Sequence, residues 1–260
     1  MAGSEFDEAV QELIAAYAVP QPLREARVAD RLQTVEQQRI PTRWGDVAAW
    51  RLGIGPAALL VHGFQDDNSL WSPLIDELDR RGRAVVAFDL PAHGASAGSW
   101  GAGFEGTDAI VAVAGALGPI DAVVAHSVGC GMAVAAISEG WTVPRGVLIA
   151  PPLRNADRWA RYGERLNASP EVVEAARSQY NAVHGPARAA WKARTAYPEL
   201  RLAELLVIHS RDDERNPASD SEAVIPLIPG AKLELVDGLT HRKTARDSAV
   251  VARIADFVTA

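Results

Sequence analysis

The chain predicts an α/β fold with a mostly parallel central sheet flanked by helices on both faces. Three observations carry this. From residue 38 onward short apolar runs alternate with helical segments. One stretch, 151–202, interrupts that rhythm without any strand signal. A serine sits where an apolar run passes directly into a helix of small residues, in Ala125-His126-Ser127-Val128-Gly129.

The first twenty residues place Phe6, Val10, Leu13, Ile14 and Tyr17 at helical spacing, and Pro20 and Pro22 follow. This predicts an amphipathic helix whose apolar side docks on the main body, within an N-terminal helical segment 1–37. Gln38–Arg43 and Val47–Leu52 read as a hairpin turning at Trp44, Gly45 and Asp46. The later apolar runs are Ala57–His62, Arg83–Phe88, Ala122–Ala125, Gly146–Ala150, Leu205–His209 and Lys232–Val236. Between them the pattern predicts helices over Ser72–Arg81, Gly106–Leu117, Gly129–Glu139, Ser219–Ile225 and His241–Val258. Ser72 reads as an N-cap with Pro73 at the first helical position, and Gly82 as a stop. Such alternation means βαβ units, so the core is expected over 38–150 and 203–260. Residues 151–202 fall between two sheet strands and are expected above the carboxyl ends of the sheet, as a small helical lid.

Composition narrows the function. A net charge of −7 argues against a phosphate-backbone binder, and 48% hydrophobic residues suffice for one sizeable core. Acidic residues 5, 7, 8 and 12 stand where a secretion signal would need a basic start. No run approaches the length of a membrane-spanning helix. A cytoplasmic protein acting on a small molecule, without nucleic acid or membrane span, is the expectation. The lone Cys130 cannot form an internal disulfide and, among small residues, reads as a buried, inert thiol.

A serine in a sharp strand-to-helix turn presents its hydroxyl outward, which suits a nucleophile. Acyl transfer through serine also needs a base, an acid to orient it and oxyanion donors. At these positions the chain resembles the α/β-hydrolase family, over nearly everything from 38 to 260, in its serine esterase and lipase-like branch. The resemblance implies the order serine, acid, histidine. Ser127 would be the nucleophile. Asp213, four residues before Pro217 and just after an apolar run, would be the acid, with Asp212 as its close competitor. His241, after the last run and before the last helix, would be the base. The oxyanion donors implied are the backbone N–H groups of Phe64, within Val61-His62-Gly63-Phe64, and Val128. Asp89 and His93 resemble a structural turn of the family.

The resemblance implies cleavage of carboxylic esters of small to medium size, with no metal or organic cofactor. The same machinery would serve a thioesterase, a lactonase or a C–C bond hydrolase, and the fold can also serve a ligand receptor. A haloalkane dehalogenase would need a carboxylate at 127. Within the lid, Trp159, Tyr162, Tyr180 and Trp191 either line an acyl pocket or pack the lid on the body. Arg154, Arg158, Arg161 and Arg165 share one helical face, either solvated or forming a cationic rim that attracts carboxylates. Asp66 and Asp67, just after the oxyanion loop, weigh against anionic substrates. His126, His184 and His209 read as packing or surface residues. Oligomeric state is not readable.

Overall fold

A computed structural model describes residues 3–22, 24–153, 158–185, 188, 196–200 and 202–260. Its centre is an eight-stranded sheet. The strands are β1 (Gln38–Ile40), β2 (Val47–Leu52), β3 (Ala57–Val61), β4 (Ala84–Phe88), β5 (Ile120–His126), β6 (Arg145–Ile149), β7 (Glu204–Ser210) and β8 (Ala231–Val236). Their order is β1-β2-β4-β3-β5-β6-β7-β8. β2 runs antiparallel to β1 and β4, and every other pairing is parallel.

The central strands are buried along their whole length because helices cover both faces, so their sequences are continuous apolar runs rather than alternations. Successive residues still divide between two cores. Leu59, Val61, Val86, Phe88, Val123 and Ala125 face α3 (Phe104–Leu117) and α4 (Val128–Ser138). Leu60, Val85, Ala87 and Val124 face α2 (Ser72–Arg80) and the C-terminal helix. This two-residue period is the pleat of the strand.

Between β6 and β7 the chain leaves the sheet. The described part of this excursion carries α5 (Arg158–Arg165) and α6 (Pro170–Ala182). Ser169 caps α6 by accepting from the Val172 N–H at 3.4 Å, and Pro170 occupies its first position. The N-terminal helix α1 (Gly3–Ala18) buries Val10, Leu13, Ile14 and Ala18 against these two helices, in a third apolar cluster with Trp159, Val172, Ala176 and Tyr180. Its apolar stripe therefore serves the excursion, not the sheet.

The helices expected over Gly106–Leu117, Gly129–Glu139 and Ser219–Ile225 form with ends shifted by one or two residues, and two differences go further. Ser72 is already helical, with Trp71 in the cap position. A 3₁₀ turn over Asn68–Trp71 precedes it, capped by Asp67 accepting from the Ser69 N–H at 3.0 Å. The C-terminal helix expected from His241 is two helices. After α7 (Ala218–Val224) come α8 (His241–Thr244) and α9 (Ser248–Thr259). Asp247 divides the last two by accepting from Ala249 and Val250 N–H at 2.9 and 3.2 Å, a capping geometry that competes with continued helix.

Candidate active site

The turn from β5 into α4 forces Ser127 to φ 53° and ψ −126°, a conformation L-residues adopt only under constraint. The turn is held by the Ser127 N–H donating to Ile149 carbonyl at 2.9 Å. Glycine at two positions makes it possible. A Cβ on Gly129 would lie 2.5 Å from the His62 carbonyl oxygen and 2.9 Å from that of Val61. One on Gly63 would lie 3.0 Å from the Ser127 Cβ. Behind the turn, the buried Cys130 thiol donates to the Ala125 carbonyl at 3.2 Å, and burial pushes its pKa up. It stays a neutral thiol.

His241 and Asp213 meet from the ends of β8 and β7. His241 Nδ1 lies 2.7 Å from Asp213 Oδ2. Since a carboxylate only accepts, Nδ1 carries the proton and Nε2 is the basic nitrogen. Burial opposes the Asp213 charge. Hydrogen bonds from His209, His241 and the Asn216 N–H outweigh it and hold the carboxyl well below the usual range. Its other oxygen accepts the Arg215 and Asn216 N–H groups at 2.8 and 2.9 Å. Asp212 is turned elsewhere and accepts the Gly238 N–H at 2.6 Å.

Three further groups hold this pair, two of them histidines expected only to pack or to lie at the surface. His209 Nε2 lies 2.9 Å from the Asn216 carbonyl and 3.4 Å from Asp213 Oδ2, while its Nδ1 takes the Ser221 hydroxyl at 2.7 Å. Glu214 accepts the His241 N–H at 3.0 Å. His126 Nε2 donates to the His241 carbonyl at 3.1 Å. Burial, then the neighbouring His241, lowers the pKa of His126 to about 3, so it stays neutral beside the imidazole. The signal available was position alone: His126 precedes the elbow serine, and His209 lies four residues before Asp213.

The loop after β3 carries Phe64. His62 accepts the Leu90 N–H at Nε2 (2.9 Å), so its Nδ1 carries the proton it donates to the Gly63 carbonyl at 2.7 Å. His93, whose pKa burial and then His62 lower to about 3, accepts the Gln65 N–H at 3.0 Å. Gln65 itself has φ 66°. Val128 is the first residue of α4, where backbone N–H groups lack intrahelical acceptors. Asp66 and Asp67 are charge-compensated. Arg242 grips Asp66 in a fork at 2.7 and 3.0 Å, and Arg24 reaches Asp67 at 2.8 Å and Asp66 at 3.2 Å. Burial works against both charges, and these arginines outweigh it. The two acids on which the expected bias against anions rests are thus ion-paired.

Ser127, His241, Phe64 and Val128 line one cavity of about 1080 Å³, and Trp159, Tyr162 and Tyr180 line its helical side. Trp191 and Arg154 lie outside the described residues. Tyr17 of α1, not foreseen as a cavity residue, stacks flat on Trp159 at 3.7 Å between ring centroids and meets Tyr180 edge-on at 5.2 Å. The Tyr180 hydroxyl donates to the buried Glu105 carboxyl at 3.0 and 3.1 Å, tying α6 to the first turn of α3. Among the described residues no cluster of acidic, histidine or cysteine side chains could hold a metal ion, and no helix is long and apolar enough to cross a membrane.

The chain belongs to the alpha/beta hydrolase family, whose description matches residues 58–254. Its fold is shared with an esterase of Pyrococcus furiosus, at 20% identity and TM-score 0.70 over 93% of this chain and 97% of that one. It is likewise similar to an esterase of Exiguobacterium antarcticum (15% identity, TM-score 0.64, 83% of this chain and 96% of the other). A bromoperoxidase of Bacillus anthracis aligns as well, at 16% identity and TM-score 0.64 over 86% of this chain and 100% of the other. A comparison with curated protein sequences returned no match.

Proposed function

We propose that this protein is a serine hydrolase that cleaves carboxylic esters of small to medium size through an acyl-enzyme. The observation that carries the reading is the 2.7 Å contact of His241 Nδ1 with Asp213, on the wall of the cavity that also exposes the strained Ser127 turn. Esterases among the structural neighbours agree with it.

In this reading His241 Nε2 takes the Ser127 hydroxyl proton as the oxygen attacks the ester carbonyl. The carbonyl π electrons move to oxygen, and the oxyanion rests on the N–H groups of Phe64 and Val128. Collapse expels the alcohol, which receives the proton from His241. Water then repeats the sequence: His241 removes its proton, the acid is released, and Ser127 regains its hydrogen. Asp213 stays ionised throughout and fixes the imidazole tautomer. The described helices of the excursion, α5 and α6, together with α1, act as a lid over the site, and Trp159, Tyr162 and Tyr180 contact the acyl chain.

The test is a p-nitrophenyl ester series of increasing chain length on wild type and Ser127→Ala, with a fluorophosphonate to trap the nucleophile. Wild type turns over the shorter esters and is labelled on Ser127, while Ser127→Ala loses on the order of 10³-fold or more in kcat. Label on another residue, or full activity in the alanine variant, overturns the assignment.

A further inference from the structure

The cavity holds more positive charge than its carboxylates compensate. Three acids line it: Asp66, Glu214 and Asp220. Asp66 is engaged by Arg242 and Arg24, Glu214 by the His241 N–H, and Asp220 is not free. Of the arginines on the wall, Arg188 is committed outward to Asp108 and Glu139 at 2.6 Å each, and Arg177 lies 3.6 Å from Glu174. Arg158 and Arg161, three residues apart on α5, also line the cavity, as does the exposed Arg215 beside Glu214, and none of the three is ion-paired among the described residues.

Arg158 is the best placed. Its Nη2 donates to the Tyr17 carbonyl at 3.0 Å and its Nη1 to the Ala102 carbonyl at 3.4 Å. Its guanidinium carbon lies 4.4 Å from the Tyr17 ring centroid and 4.5 Å from that of Phe64. Carbonyls and ring faces orient a cation without cancelling its charge, and a guanidinium has more N–H donors than these two carbonyls occupy. The group is half-buried, where the effective dielectric strengthens its field. It is also stacked on the very residue whose N–H is the proposed oxyanion donor.

We propose that Arg158, supported by Arg161, is a carboxylate subsite, so that the preferred substrates are monoesters of short dicarboxylic acids. This rests on the hydrolase reading above. The planar fork of Arg158 would take the free carboxylate in paired hydrogen bonds, a few carbons from the carbonyl that Ser127 attacks. The one-sided charge of the wall would exclude cationic acyl groups by the same field.

Monomethyl glutarate and methyl pentanoate have acyl chains of equal length and differ in one terminal carboxylate. Hydrolysis is followed by pH-stat at low salt on wild type, Arg158→Gln, Arg158→Lys and Arg161→Gln. The wild type is expected to favour monomethyl glutarate in kcat/KM by at least about tenfold, the scale of one charge-assisted contact. That ratio falls toward one in Arg158→Gln, chiefly through KM, falls partway in Arg158→Lys and Arg161→Gln, and shrinks in wild type as NaCl is raised. A wild-type ratio at or below one overturns the proposal, as does a ratio that neither salt nor Arg158→Gln reduces. Should Arg158→Gln not fold, the salt series and Arg161→Gln decide alone.

Calorimetric binding of monomethyl glutarate to Ser127→Ala, with and without Arg158→Gln, separates the two readings. Arg158-dependent binding without hydrolysis of either ester by wild type refutes the hydrolase reading and sustains the subsite. Hydrolysis of both esters without Arg158-dependent binding does the reverse.

Discussion

Arg242, the residue after His241, holds Asp66, two residues beyond Phe64, in a forked ion pair: Nε to Oδ2 at 2.7 Å and Nη2 to Oδ1 at 3.0 Å. The first turn of α8, which bears the proposed base, and the loop bearing a proposed oxyanion donor are thus clamped to each other. Neither partner reacts, yet the pair fixes the distance between two parts that must act on the same carbonyl.

Arg242→Gln is expected to lower kcat about tenfold with a smaller change in KM, since misplacement affects the transition state more than ground-state binding. The arginine side chain is 37% exposed, so the stability cost should be about 1 kcal/mol. A double-mutant cycle with Asp66→Asn should show strong coupling in kcat. Additive effects would show that the clamp does not position the site.

Gly129→Ala tests the close approach at the elbow. Its Cβ would lie 2.5 Å from a backbone oxygen of His62, which cannot rotate away as a side chain could. We expect a loss of about 2 kcal/mol or more in urea unfolding and loss of turnover even in the folded fraction. Ala125, on the other side of the serine, already carries a Cβ in a fully buried position, so Ala125→Gly should cost little by comparison.

Acid should weaken the fold well before the carboxylates titrate. His93 and His126 have pKa values lowered to about 3, against 6.5 for an ordinary histidine, first through burial and then through the neighbouring His62 and His241. Between those values the unfolded chain binds protons the native one refuses. Their stabilising effect is complete above pH 6.5 and falls as pH drops toward 3. At pH 5 each histidine should cost about 2 kcal/mol. Asp213, with its depressed pKa, acts only below about pH 4, where protonation removes its contribution. Urea midpoints at pH 7.5 and 5.0 measure this, and His93→Gln should flatten the profile. Equal midpoints in wild type would contradict the argument.

Tyr180→Phe removes the hydroxyl donor from a carboxyl that is fully buried, leaving Glu105 with the Gly103 N–H at 2.9 Å and His184 at 3.3 Å. The expected cost is about 2 kcal/mol. Because the same bond ties α6 to α3, KM for longer acyl chains should rise more than kcat falls. Thermal melting with a KM series on two ester lengths checks both effects, and unchanged values in each would refute the tie.

Much of this was readable in the chain because its signals are local. A buried parallel strand writes itself as an apolar run, and the passage from Val124 through Ser127 into the glycines and alanines of α4 is a strand, a turn and a helix in sequence order. What was hidden depends on distant partners. The amphipathic spacing of Val10, Leu13 and Ile14 shows that α1 buries a face but not that α5 and α6 receive it. Asp66 looked like an uncompensated acid because its partners Arg24 and Arg242 stand 42 and 176 positions away. Ser72 looked like a cap because nothing in its immediate neighbours marks the preceding 3₁₀ turn and its cap at Asp67.

The docking of α1 on the excursion has a consequence for the order of events during synthesis. The helix that carries Tyr17 leaves the ribosome well ahead of its cover, because Trp159 and Tyr180 are translated some 140 to 160 codons later. At ordinary elongation rates that is a delay of roughly 7–30 s, during which Val10, Leu13 and Ile14 have no permanent cover. This side of the cavity therefore closes late, and nascent α1 is where a holding chaperone would find an apolar handle.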